Sequence, residues 1–409
     1  MWVTGQANIN AVNIFEMNSE PTTKLVASTD VLIVGAGIIG LAHAALAQQA
    51  GLSVTVIERD HRAVGASIRN FGHACITAQH GETYEMAQAG RKHWLDFAAK
   101  AGFWAIESGA LVVATTETEL QLLREFSTSR PEGQVMVLNA EEVRAKLGRE
   151  HTEGLHGGAF LADDLRVDPR TTVGILAGWL HRQDDAAVHF NTTALGFGAG
   201  TERKARVETS RGAFEASHVF ICVGHDVDQL FPSMAAEHRI TRCALQMVSA
   251  SAPESTTIVP AVLTATSMLR YDAFTHMPSA PALRAEVEAA HPDLLEIGAN
   301  VMFTQRPDGT LLLGDSHSYD LTQAPFLTEA TTGKLLQATA KVLDIDSFAI
   351  AERWQGIYAS SEVAPVLVRD IAESITLVSV TSGIGMTISF GLAEANLTAL
   401  TVPRSSATR

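Results

Sequence analysis

The chain has little of what several protein classes depend on. Its three cysteines, Cys75, Cys222 and Cys243, are scattered and form no CxxC pair. That excludes a disulfide framework and points to a reducing, cytoplasmic setting. Basic residues are in deficit: Lys+Arg 30 against Asp+Glu 45 gives a formal net charge of −15. Nucleic acids and anionic membrane surfaces recruit clustered Lys and Arg, so neither is an expected partner. An acidic small molecule would need a local cationic pocket. No apolar run reaches the ~18–20 residues of a membrane span. The fifteen histidines show no HxxxH or Cys/His spacing, so no metal is expected. Without a Gly-x-Ser-x-Gly elbow, acyl transfer is unsupported. No internal repeat is visible. Residues 1–29 lack a basic start followed by an apolar stretch and read as an N-terminal extension, with a second methionine at Met17. Residues 401–409 read as a polar, frayed tail.

What is present is a large core and one strong local pattern. A hydrophobic fraction of 46% over 409 residues fills two or three domains, or one α/β domain with a partner. Val31-Leu32-Ile33-Val34 reads as a buried parallel strand, Gly35-Ala36-Gly37-Ile38-Ile39-Gly40 as a glycine turn, and Leu41 to Ala50 as a helix stopped by Gly51. Ser53 to Glu58 is a second buried strand ending in an acid. A GxGxxG between strand and helix turns backbone N–H groups and a helix N-terminus toward a pyrophosphate. Glu58 is placed to accept hydrogen bonds from ribose hydroxyls, and its charge disfavours a 2′-phosphate. NAD and FAD remain.

Three later features favour FAD. The turn Gly65 to Gly72 is built of small residues and offers Ser67 and Asn70 as polar contacts. Val219 to Val223 is a strand ending at Gly224. Thr381 to Thr387, with Gly383, Gly385, Met386 and Thr387, is another glycine loop opening a helix. Such a helix N-terminus stabilises negative charge on a reduced isoalloxazine. Elsewhere, residues 82–101 read as a helix with Trp94, Leu95 and Phe97 on its apolar face. Between Cys243 and Phe303 antiparallel strands are expected, interrupted by one helix near 281–290. Asp308-Gly309 marks a hairpin.

In this order the motifs, with Glu58-Arg59 after the glycine turn, resemble the D-amino-acid oxidase family of FAD-dependent oxidoreductases, which includes glycine and sarcosine oxidases. The resemblance spans roughly residues 30–400 and implies a Rossmann-like α/β FAD-binding domain interleaved with a mainly antiparallel α+β substrate domain. On this reading 30–80, 150–227 and 340–400 bind FAD, and 81–149 and 228–339 form the substrate domain. The implied reaction moves a hydride from the carbon beside an amine nitrogen to flavin N5. The imine hydrolyses to an aldehyde or oxo acid, and O2 or another acceptor takes the electrons. FAD contacts are implied for Gly35, Gly37, Gly40, Glu58, Arg59, Ser67, Asn70, Gly224, Gly383, Gly385, Met386 and Thr387.

Departures narrow the resemblance. The family's carboxylate-binding Arg corresponds to Tyr358, and a second Arg to Thr381 or Ser382. No cysteine lies in the late segment that tethers flavin in monomeric sarcosine oxidases, so noncovalent FAD is expected. A subgroup associated with phosphonate breakdown is more similar, through Arg69 to Gly72, Trp354 to Tyr358 and Gly385 to Gly391. It implies an aminoethylphosphonate-type or N-alkylated amine as substrate. The substrate-site candidates are Arg69, His73, Arg270, Tyr271, Arg306 and Tyr358, with His317 a further possible cation. Each has an ordinary alternative. Arg306 precedes a hairpin turn, where solvated or strand-pairing arginines are common, and His73 suits a structural role. His225 reads as a loop residue. No catalytic base is assigned. Competing readings are a glycine, sarcosine or D-amino-acid oxidase, a dehydrogenase of amino or hydroxy acids, and a non-catalytic flavin-binding protein.

Overall fold

The computed structural model describes residues 24–253 and 257–401; residues 1–23 and 402–409 of the expected extension and tail lie outside them. The fold is mixed α/β, built on two large sheets and a three-stranded one. Strand β1 (Leu25–Val34) leads into helix α1 (Ile38–Gln49) and strand β2 (Val54–Ile57). β1 starts earlier than expected, so residues 25–29 belong to the sheet and not to an extension. Their partners are Ala213 to Ala216 on the distant strand Gly212–Ile221, which local pattern does not reveal.

The first sheet has a parallel centre. Its order is Ala186–His189, β2, β1, Gly212–Ile221, Ile375–Val380, each neighbour paired in parallel. The chain leaves β1 toward one side and returns as Gly212–Ile221 on the other. That reversal opens a crevice at the carboxyl ends of the two strands, where ligands settle in such sheets. One face is covered by α1 and helices Gly81–Ala101, Pro169–His181 and Gly385–Thr401, around Leu41, Trp94, Phe97, Leu176 and Phe390. Phe97 stacks on Phe390 at 5.2 Å, and the Trp94 indole donates to the Met386 carbonyl at 3.0 Å. Gly391 permits this crossing: a Cβ there would lie 1.9 Å from the Met86 carbonyl oxygen. The helix pair thereby fixes where Gly385–Thr401 begins.

The second sheet is antiparallel except where Ala261–Leu263 runs parallel to Ala110–Ala114. Met302–Gln305 and Thr310–Gly314 form the hairpin around Asp308-Gly309. Two strands cross the division drawn from sequence. Gly157–Leu161 and Ile350–Ser360, assigned to the FAD side, join this second sheet. Their partners, Ala110–Ala114 and Thr241–Ser251, sit far away in the chain, so only long-range register reveals them. The expected single helix, Ala280–Ala290, has three short companions at Ala265–Met268, Asp272–Thr275 and Pro292–Glu296. Thr264 and Ser267 cap the first reciprocally, and Pro292 opens the last, which makes single turns stable without an amphipathic repeat.

Candidate active site

A cavity of about 710 Å3 runs from the crevice beside β1 to the antiparallel sheet. At the crevice the backbone does most of the shaping. Gly35 sits at φ +106°, and a Cβ on it would fall 2.4 Å from the Cys222 carbonyl oxygen. A Cβ on Gly40 would fall 2.0 Å from the Gly35 oxygen. These contacts seat α1 against the turn, and Gly37, Ile38 and Ile39 at its start line the cavity. No acidic side chain occupies the first turn of α1 or of Gly385–Thr401. Both helices therefore keep their positive ends available to an anion. The Glu58 carboxylate accepts the Ala36 N–H at 2.8 Å and the Asp60 N–H at 3.0 Å, so this strand-ending acid also holds the glycine turn. Arg59 reaches across to Asp226 at 2.5 Å.

The far end is made of side chains from separate segments: Arg270 and Tyr271, Asn300, Asp315, His317 and Tyr358. Tyr358 lies on Ile350–Ser360 opposite Cys243, and its ring would be 3.0 Å from a Cβ on Gly383, so it packs over the terminal glycine turn. Its ring meets His317 edge-on at 6.5 Å. Asp315 follows Thr310–Gly314 and is held by two backbone bonds with Asn300, at 2.7 and 2.8 Å. Its carboxylate lies 3.8 Å from His317 Nε2, and Oδ1 is buried with no hydrogen-bond partner among the described residues.

Burial sets the protonation here. It raises Asp315 to about 7, against the opposing pull of Arg270. It pushes His317 well below the ordinary histidine range, with Arg270 adding to the effect. His317 Nδ1 is 2.9 Å from the Gly298 carbonyl, so Nδ1 carries the proton of the neutral ring and Nε2 is an acceptor. Burial alone would lower the Arg270 guanidinium, but Tyr358, Tyr319 and Asp315 hold it above its usual value, and it stays cationic. Burial raises the Tyr271 and Tyr358 phenols, which remain donors.

A family model described as FAD dependent oxidoreductase matches residues 30–397. The chain belongs to this family. Similar solved structures include glycine oxidase from Geobacillus kaustophilus, with TM-score 0.71 and 18% identity over 92% of this chain and 96% of that one. L-proline dehydrogenase from P. horikoshii gives TM-score 0.73 and 17% identity over 92% and 94%. The dithionite-reduced L-α-glycerophosphate oxidase from Mycoplasma pneumoniae, with FAD bound, gives 0.70 and 18% over 92% and 95%. No curated protein sequence matches. At these identities the likeness is one of fold.

FAD is the cofactor of this oxidoreductase, and the residues present fit it. The glycine cradle excludes side chains where a pyrophosphate must approach, neither helix carries an acidic side chain in its first turn, and Glu58 faces the same space. Of the residues expected to contact FAD, Gly35, Gly37, Glu58, Arg59, Ser67, Asn70, Gly224, Gly383, Gly385 and Met386 line the cavity. Several also have structural work. Ser67 Oγ accepts the Ile38 N–H at 2.9 Å, capping α1. The Asn70 amide is spent on its own turn, donating to Ala66 and Ser67 and accepting from Gly72. Two are not in the lining. Gly40 acts behind it, through close packing, and the Thr387 hydroxyl accepts the Cys75 N–H at 3.1 Å.

The substrate-site expectations divide in the same way. Arg69, Arg270, Tyr271 and Tyr358 line the cavity, with Arg69 also donating to the Gln355 carbonyl at 3.0 Å. Arg306 does not. It grips Asp168 with two bonds of 3.0 and 3.1 Å and Asp308 with one of 2.6 Å, tying the hairpin to the start of Pro169–His181. His73 is buried outside the lining, 2.8 Å from Asp164, whose other oxygen is taken by Thr77. With Cys75 these side chains bring three possible metal-ligand atoms within 4.8 Å, a proximity that the spacing did not announce. His73 and Thr77 hydrogen-bond Asp164 in the core while Cys75 packs beside them, and no metal role is assigned to the cluster. Asp315 and Asn300 were missed from sequence. The available signal was an acid placed directly after the apolar run Leu311-Leu312-Leu313, flanked by Gly314 and Ser316.

Proposed function

We propose that this FAD-dependent oxidoreductase oxidises a small amine bearing an anionic group, best an aminoethylphosphonate-type or N-alkylated amine, and that the imine product hydrolyses to an aldehyde or oxo acid. Bound FAD supplies the hydride acceptor at N5. The observation that carries the reading is one continuous cavity joining the flavin cradle to a permanently cationic Arg270 and a buried acid, Asp315. The tyrosine at position 358, where the family resemblance implies a carboxylate-binding Arg, removes the usual bidentate partner of an α-amino acid. Arg270 offers that charge from a different segment and suits an anion placed further from the nitrogen. The protein's part is to orient the C–H bond and exclude water. The flavin is read as noncovalent, since no cysteine lies in Gln355 to Ser360. No helix among the described residues is long and apolar enough to cross a membrane, and all three cysteines are free, which supports a cytoplasmic setting.

An anaerobic screen of flavin bleaching tests this directly. Aminoethylphosphonate or its N-methyl form should reduce the flavin at least about tenfold more efficiently than glycine or sarcosine. Reduction by glycine or sarcosine alone removes the phosphonate assignment. Bleaching by none of them favours the non-catalytic reading. Peroxide release in air then separates oxidase from dehydrogenase.

A further inference from the structure

We infer that Asp315, backed by His317, is the residue that receives the substrate's ammonium group and accepts its proton, while Arg270 holds the anionic end, so that the cavity selects zwitterionic amines by reading both charges. The inference rests on the amine-oxidation reading above and adds the residues and substrate class to it.

The geometry supplies three independent pieces. First, Asp315 Oδ1 is buried without a partner in a residue that lines the cavity. Oδ1 is closed off at rest, so of this cavity-lining carboxylate, which Asn300 also hydrogen-bonds, one oxygen still lacks the donor that an ammonium would bring. Second, the Gly298 carbonyl orients His317 so that Nε2 is the acceptor facing Asp315 at 3.8 Å, too long for a direct bond. A donor placed between the two can serve both. Third, Tyr358 links this pair to the flavin end, contacting His317 on one side and Gly383 on the other. The charged and titratable groups around Asp315 are Arg270 and Tyr271 from the helical segment, Cys243 from Thr241–Ser251, and His317 on its own segment. Tyr319 and Tyr358 complete the ring around Arg270.

The step balances simply. An ammonium N–H bond breaks, its proton forms an O–H bond on the Asp315 carboxylate, and the nitrogen keeps the electron pair. That pair becomes the second bond of C=N when the neighbouring C–H hydride departs to the flavin. An amine that stays protonated cannot release the hydride, so a base placed at the nitrogen controls the rate. Asp315, raised to about 7 by burial, ionises at the pH where it must act.

The test uses the full-length, FAD-loaded protein and the isosteric Asp315→Asn variant. Aminoethylphosphonate is followed by the concentration dependence of anaerobic flavin bleaching at pH 8, and ethylphosphonate, which has no amine, by calorimetry. Asp315→Asn should weaken the amine-bearing ligand by about tenfold or more and strengthen ethylphosphonate, because the carboxylate that repels it is gone. A purely structural role would weaken both. The bleaching rate of the wild type should rise through a pH limb near 7, absent in Asp315→Asn. If Asp315→Asn loses its flavin, His317→Gln should shift the same limb. Wild type bleached by amines, with both variants keeping its affinities and pH profile, overturns this inference alone. Wild type bleached by no amine overturns the functional reading and this inference with it.

Discussion

The two ends of the cavity are built by different means. At the flavin end the backbone presents glycines, N–H groups and helix termini, and one carboxylate, Glu58, completes the cradle. At the other end the backbone supplies little, and the work falls to Arg270, Asp315, His317 and Tyr358 from three well-separated stretches of chain. A backbone site tolerates almost no added atoms but does not titrate. A side-chain site tolerates isosteric changes of shape but responds to charge and pH. The first suits a cofactor common to a whole family; the second is where substrate choice can vary.

The largest effect that would break this contrast is expected at Gly40. Gly40→Val places a branched side chain where even a Cβ meets the Gly35 oxygen at 2.0 Å. The variant should purify without flavin, seen as loss of the yellow absorbance. Retention of full flavin would mean that the cradle does not depend on close packing. Intermediate in size is a pH effect confined to the substrate end. Asp315 has a folded-state value raised to about 7 from 3.8. Between those values the unfolded chain is ionised while the folded one stays protonated, so the stability that the protonated Asp315 contributes falls as pH rises toward 7, and that contribution is gone above it. From pH 5 to 7.5 the substrate-free, flavin-loaded wild type should lose about 1–3 kcal/mol relative to Asp315→Asn. In a thermal melt this is a difference of roughly 2–4 °C. Parallel melting curves for the two proteins would remove the buried acid from the argument. The smallest effect is Glu58→Gln, which keeps an oxygen acceptor and loses the charge. It should raise the FAD dissociation constant by about tenfold without a pH-dependent component. A titration of flavin-free protein with FAD at two pH values measures both parts.

How much of this was legible in the sequence follows the same division. Gly35, Gly37, Gly40 and Glu58 are readable because their interactions run within one βαβ unit, and spacing alone puts the turn, the helix start and the acid together. Arg270, Tyr271 and Tyr358 were reachable as residue types of the right chemistry, without any sign of which cavity they share. Arg306 shows the limit of that approach. A cation near a hairpin looks the same whether it faces a ligand or an acid, and here Asp168, from the start of a distant helix, takes it. His73 and Asp164 make the same point in the core. Asp315 was missed for the converse reason. Nothing local marks an acid after a buried strand as having one oxygen without a donor, since that depends on how Asn300, His317 and Arg270 arrive around it.

By itself the sequence determined the class of fold, the dinucleotide turn and the acid that closes it, because hydrophobic runs, glycine conformations and strand-ending carboxylates act over short distances. Only the tertiary structure decided which charges remain unspent. The registers of Thr241–Ser251 with Ile350–Ser360 and of Met302–Gln305 with Thr310–Gly314 carry Tyr358, Asp315 and His317 to one wall. Burial at that wall then sets their protonation. The low proportion of basic residues thus acquires a location: in a chain of formal charge −15, the Arg270 guanidinium held cationic at the end of the cavity is a local exception to the global field, and desolvation makes that exception strong.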